Sequence, residues 1–113
     1  METIKDWILL LKHEKRPIIV EGKKDKKALE YFEIKNVITL DRPLYEIIEL
    51  VSDNFEEVII LTDLDKAGKK IYSILSRELG KRGVRIEEKY RNFLFQKTQL
   101  TQIEGLVSYE ANN

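Results

Sequence analysis

The chain has 113 residues with a formal net charge of zero; 42% are hydrophobic, 35% are charged, and none is cysteine. That length and balance fit one globular domain and exclude a disordered chain, and the missing thiol excludes disulfides, thiolate catalysis and cysteine-built zinc sites. Zero net charge also excludes a global polyelectrolyte pull toward nucleic acid, and no apolar run approaches the roughly 20 residues that cross a bilayer.

Ile4, Trp7, Ile8 and Leu11 recur at helical spacing and predict an amphipathic helix over 2–14, closed off by Pro17. Met1-Glu2-Thr3-Ile4-Lys5-Asp6 lacks the basic start of a signal peptide, so a cytoplasmic protein with no membrane contact is expected. Pro17-Ile18-Ile19-Val20 is β-branched and unbroken, which suits a strand buried on both faces. A helix over 24–32 follows, burying Ala28, Leu29 and Phe32, and Val37 to Leu40 makes a second strand. Pro43 suits a first helical turn, and Leu44, Ile47, Ile48 and Val51 give the stripe of the next helix. Val58 to Leu61 is the third and most apolar strand, and Ala67, Ile71, Ile74, Leu75 and Leu79 mark a long helix ending near Gly80 and Gly83. Val84 to Tyr90 is expected as a last, more exposed strand, and Ile103, Leu106 and Val107 as a short closing helix. Strands alternating with helices at this rhythm argue for an α/β fold with a parallel sheet covered on both faces. One domain over 1–113 is expected, with a core over about 16–90 and residues 91–113 packed on it as a C-terminal extension.

Two strand ends carry chemistry rather than packing. Val20-Glu21-Gly22-Lys23-Lys24-Asp25 and Leu61-Thr62-Asp63-Leu64-Asp65-Lys66-Ala67-Gly68 are each an apolar run that ends in carboxylates where a helix begins. If Glu21 and Asp63 meet in space, the first and third strands must be neighbours, which requires the order 2-1-3-4 with right-handed crossovers. Carboxylates crowded at low dielectric repel, and a hard divalent cation removes that cost. An open strand-end site suits Mg2+, which keeps waters and substrate oxygens, and a shared Asp63 would allow two ions. Each acid also has a plainer use: Asp65 fits the N-cap of the following helix, and Asp25 fits a cap or an orienting residue. Gly22 and Gly68, bare beside the acids, would let a phosphate approach the backbone. Lys23, Lys24, Lys66 and Lys69 flank the site and could neutralise phosphates, or simply solvate the helix starts. Residues 66–97 carry 10 basic and 3 acidic side chains against 10 basic and 15 acidic in 1–65, so positive charge gathers just after the second acidic cluster. Tyr90-Arg91-Asn92-Phe93-Leu94-Phe95 interleaves aromatic and basic residues, a pattern that packs a sheet edge or subunit contact more often than it stacks bases. His13, the single histidine, sits in a charged helix end.

These motifs resemble the Toprim domain, shared by bacterial-type primases, type IA and type II topoisomerases, old-family nucleases, recombination-repair proteins and the 5S ribosomal RNA maturation nuclease. The pattern there is a Glu-Gly at one strand end and a later Asp-x-Asp, here Glu21-Gly22 and Asp63-Leu64-Asp65. Val-Glu-Gly-Lys-Lys-Asp and Leu-Thr-Asp-Leu-Asp-Lys-Ala-Gly-Lys-Lys look most similar to the maturation nuclease and to small stand-alone Toprim proteins. The resemblance implies a Rossmann-like Toprim fold and a site of Glu21, Asp63 and Asp65 holding two Mg2+ ions, with Mn2+ as a substitute. It implies that Glu21 also acts as general acid or base on a nucleic-acid phosphodiester, RNA or DNA; cleavage is favoured over synthesis because no nucleotide-binding apparatus is evident in the chain. Asp25 and Gly68 match residues that follow the family's two motifs. No zinc ribbon, P-loop or tyrosine-bearing topoisomerase domain is present. The other reading is a non-catalytic module that binds metal and nucleic acid, a protein partner or its own copies within a larger complex.

Overall fold

The computed structural model describes residues 1–113. In chain order the elements are α1 (Ile4–Lys12), β1 (Ile18–Val20), α2 (Lys23–Tyr31), β2 (Val37–Thr39), α3 (Leu44–Asn54), β3 (Glu57–Ile60), α4 (Lys66–Lys81), β4 (Arg85–Glu87), α5 (Lys89–Lys97), a 3-10 turn (Ile103–Gly105) and α6 (Leu106–Ala111). The four strands form one sheet in the order β2-β1-β3-β4, and all three pairings are parallel. Ile18 pairs with Ile59 and Ile19 with Ile60, so β1 and β3 are neighbours and their carboxyl ends lie side by side. This is the order that a shared site for Glu21 and Asp63 demands.

The central strands β1 and β3 are short and almost wholly apolar because both faces are covered, whereas the edge strand β4 carries Arg85 and Glu87. Ile18, Val20, Ile59 and Leu61 point to one side and pack with Trp7 and Leu11 of α1, Leu29 of α2 and Leu94 of α5. Ile19, Val58 and Ile60 point to the other and pack with Ile47, Ile48 and Val51 of α3 and Leu75 and Leu79 of α4. Period-two alternation along two buried strands thus feeds two separate cores. Each fully buried Ile or Leu contributes about 1.5–3 kcal/mol, so the neighbouring strands β1 and β3 are the most strongly fixed part of the fold.

Helix boundaries follow local chemistry. Thr3 caps α1: its Oγ1 accepts from the Asp6 amide at 3.1 Å while Asp6 Oδ2 accepts from the Thr3 amide at 3.2 Å. This reciprocal cap starts the helix at Ile4, later than composition alone suggests. At the other end of the fold, α4 closes on Gly83, which adopts φ of 82° while the Val84 amide bonds back to the Leu79 carbonyl.

The expected strand over 84–90 is corrected. It ends at Glu87, and Tyr90 belongs to α5, where it is 2% exposed and accepts from the Trp7 indole N–H at 2.8 Å through its carbonyl. The alternation of Val84 and Ile86 ends with the strand, and the aromatic residues beyond it are helical. Residues 91–113 contribute Leu94, Ile103 and Leu106 to the same core as Trp7. No helix of the chain is long and apolar enough to cross a membrane.

Candidate metal and phosphate site at the strand ends

β1 delivers Glu21 and β3 delivers Asp63 to the same edge of the sheet. Glu21 Oε2 accepts the Asp63 amide at 2.7 Å, a contact between residues 42 apart in sequence that pins one strand end to the other. Asp63 in turn accepts the Ile103 amide on Oδ1 at 2.9 Å, and the Leu64 amide donates to the Thr101 carbonyl at 2.8 Å. The C-terminal segment therefore wraps over the end of β3.

Asp65 is the N-cap of α4, its Oδ1 accepting the Gly68 amide at 2.8 Å, and its side chain is exposed. Asp25 sits in the first turn of α2, 6% exposed, with Oδ2 accepting the Gly22 amide at 3.1 Å. Gly22 has no side chain to return the bond, so this is one half of a capping box. Both acids have the capping roles that their positions allow in sequence.

Gly68 has a different use from the one its neighbours suggest. A Cβ on it would lie 2.1 Å from the Asp63 carbonyl oxygen and 2.9 Å from the Asp63 nitrogen. The space is filled by the backbone of β3's end, leaving none there for a phosphate. Thr62, fully buried, locks the same junction by donating its hydroxyl to the Gly68 carbonyl at 2.8 Å. Around Gly22 nothing lies within 4 Å of the missing side chain, so that side of the site is open. Lys23, Lys24, Lys66 and Lys69 are all exposed, and none forms an ion pair.

Arg91 is the cation that the sequence pattern did not place here. From α5 its Nε donates to the Thr62 carbonyl and its Nη2 to the Asp63 carbonyl, both at 2.9 Å. Its guanidinium lies 4.4 Å from the Tyr72 ring centroid and 5.3 Å from that of Phe95. The interleaved Tyr90–Phe95 run thus packs a helix against the sheet end and turns one arginine toward the acids. Glu104 is a second residue that sequence reasoning passed over.

The electrostatics are those of a partly dry acidic cluster. Burial raises the pKa of Glu21, opposed by the Asp63 amide and reinforced by the charges of Asp63, Asp65 and Asp25. Burial likewise raises Asp63, against the Ile103 amide and with help from Asp65 and Glu104. Asp25 is raised by burial first, then by Asp63 and Glu104. Burial lowers Arg91, while the charges of Tyr72, Asp63 and Glu21 pull it back up. Crowded, desolvated carboxylates favour either a proton or a cation.

Mg2+ fits the chemistry of this donor set. Glu21, Asp63 and Asp65 each commit one oxygen to a backbone amide, which leaves the second oxygen of each as a hard ligand. The three do not close into a ready cage: no three acidic or histidine side chains of the chain lie close enough to hold one ion among them.

Comparisons with known proteins agree with this architecture. The Toprim domain model matches residues 16–94. A UPF0292 protein of Methanocaldococcus jannaschii is 35% identical over 114 residues, covering 96% of this chain and 88% of the relative. A UPF0292 protein of Methanosarcina acetivorans is 32% identical over 116 residues, covering 96% and 81%. A solved structure of a protein from Aquifex aeolicus superposes with a TM-score of 0.85 at 36% identity, covering 92% of this chain and 98% of that one. With its parallel 2-1-3-4 sheet, its Glu21-Gly22 and Asp63-Leu64-Asp65 motifs and these relatives, the chain belongs to the Toprim domain family.

Proposed function

We propose that the chain carries out Mg2+-dependent chemistry on nucleic-acid phosphodiesters, with strand cleavage as the favoured reaction. The observation that carries this reading is the junction of β1 and β3, where the Glu21 carboxylate meets the Asp63 amide at 2.7 Å. A helix-capping role explains Asp65 and Asp25, but nothing in packing requires a desolvated glutamate beside a desolvated aspartate at adjacent strand ends.

Glu21, Asp63 and Asp65 would hold the metal through their uncommitted oxygens, with water and phosphate oxygens completing the shell. When bound, the metal supplies charge neutralisation at the phosphate and activation of a water nucleophile. Glu21 has Oε1 free, and with its pKa raised by burial it takes up a proton more readily than an exposed glutamate. Asp63 is oriented by the Ile103 amide on its carboxylate, and Arg91 clamps the backbone carbonyls of Thr62 and Asp63 on either side of its Cα. Lys23, Lys66 and Lys69, at the starts of α2 and α4, would meet phosphates that approach the site, since helix N-termini favour anions.

A second reading is favoured by one observation, the lack of a ready three-acid cage. On that reading the chain binds nucleic acid without turning it over. Incubating wild type and Glu21→Gln with Mg2+ or Mn2+ and with single-stranded, duplex and hairpin RNA and DNA separates the two. Cleavage by wild type and its loss in Glu21→Gln supports the nuclease. Binding without turnover by both proteins supports the module.

A further inference from the structure

We infer that the groove between α2 and the C-terminal turn is a subsite for one or two nucleotides of a single strand, leading away from the acidic site. This rests on the nucleic-acid reading above and names the form of the substrate. The groove has a volume of about 520 Å³ and is walled by Lys24, Lys27 and Tyr31 on one side and by Gln102, Glu104 and Gly105 on the other. It starts beside the acids, because Glu104 follows Ile103, whose amide holds Asp63 Oδ1 at 2.9 Å, and Lys24 precedes Asp25, which accepts the Gly22 amide at 3.1 Å.

Lys24, Lys27 and Tyr31 occupy successive turns of α2 at spacings of three and four, so they share one helix face. That face starts beside Gly22 and extends about 10 Å along the helix axis. Ala28 forms its floor, 6% exposed, and leaves room above it. Neither lysine has an ion-pair partner. Tyr31 is 67% exposed, among the most exposed of the chain's large hydrophobic side chains. It packs edge-on against Phe32, with ring centroids 5.0 Å apart and planes at 85°, and stays largely uncovered.

Two free cations followed by an uncovered aromatic ring make the pairing that single-strand binders use: charge on the phosphates, stacking on the base. A base inside a duplex already has both faces stacked, so a lone ring in a cleft of this size selects unpaired nucleotides. Gln102 and Glu104 on the opposite wall offer acceptors to exocyclic amines at the base edge, and Gln102 a donor as well.

The test is fluorescence anisotropy of the full chain with short labelled single strands of RNA and DNA and with the matching duplexes, in EDTA so that nothing is cut. The expected result is tighter binding of the single strands, loss of roughly tenfold in affinity with Tyr31→Ala, and recovery with Tyr31→Trp. Lys24→Ala with Lys27→Ala should make the slope of log affinity against log salt shallower by about 1.4, two phosphate contacts on a single strand. Equal affinity for duplex and single strand, or Tyr31→Ala binding as wild type does, overturns the subsite. A chain that cuts in Mg2+ yet shows no Tyr31 dependence keeps the acidic site and loses the groove. One that binds through Tyr31 and cuts nothing keeps the groove and loses the nuclease.

Discussion

An alanine at position 68 has nowhere to put its methyl group, because the carbonyl oxygen of Asp63 would lie 2.1 Å from it and that oxygen belongs to rigid backbone. Gly68→Ala should push α4 away from the end of β3 and destabilise the chain by about 2–4 kcal/mol, read from denaturant midpoints. A neutral result would mean that the helix start yields easily. Asp65 allows its two roles to be pulled apart. Asp65→Ala removes the cap of α4 and should cost about 1 kcal/mol, whereas Asp65→Ser keeps a capping oxygen and should stay within about 0.5 kcal/mol of wild type. Both variants remove the charge, so both should weaken the rise in melting temperature that Mg2+ is expected to give if these acids bind it. If Asp65→Ser retains the full Mg2+ shift, Asp65 is a cap and nothing more.

At the scale of elements, the strap formed by residues 98–105 ties site and core together. Ile103 and Leu106 are fully buried, and the Ile103 amide holds the carboxylate of Asp63. Truncation after Lys97 should therefore cost more than about 4 kcal/mol, since two core side chains are lost together, and thermal unfolding would measure it. A truncated chain that melts near the wild-type temperature would show that the strap is dispensable to the core. The same segment shows where the sequence stops being legible. The order β2-β1-β3-β4 can be reasoned out because two carboxylates follow two apolar strands, and side chains carry that signal. A backbone amide such as that of Ile103 looks the same in any segment, so nothing in the letters marks it as the partner of Asp63. Arg91 is hidden for a related reason. The aromatic run from Tyr90 to Phe95 is rich in residues that also suit strands, and only the buried contact of Trp7 with Tyr90 shows that it turns helical and directs the arginine inward. Gly68 was legible as important, but its reason, the closeness of Asp63, depends on how α4 docks.

Over the whole molecule, charge is divided between the two ends of the sheet. The carboxyl ends of β1 and β3 gather acids that repel, while the opposite end is held by Arg16, which bonds Glu14 at 2.8 and 2.9 Å, Glu57 at 2.9 Å and Glu87 at 3.2 Å. Bonds from Arg16, together with backbone amides, hold the Glu14 carboxyl down at about 2 from its ordinary 4.5. A carboxylate lowered in the folded state stabilises fully above its unfolded pKa and loses that contribution as pH falls through the folded one. Glu14 should therefore give about 2 kcal/mol, after solvent screening, that fades between about pH 4.5 and pH 2. Glu14→Gln should flatten the acid limb of a stability curve over that window and leave its shape above pH 6 unchanged. An unchanged acid limb would assign acid unfolding to other carboxylates.

The site at the other end faces a more direct trial. Crystals of the wild-type chain soaked in Mn2+ would reveal the ion through its anomalous scattering. The expected peak lies at the carboxyl ends of β1 and β3, within about 2.5 Å of free oxygens of Glu21 and Asp63, the reach of hard-cation coordination, and it should vanish in crystals of Glu21→Gln. Manganese bound only elsewhere on the chain, or a peak indifferent to that substitution, would contradict the assignment of these carboxylates as the metal site.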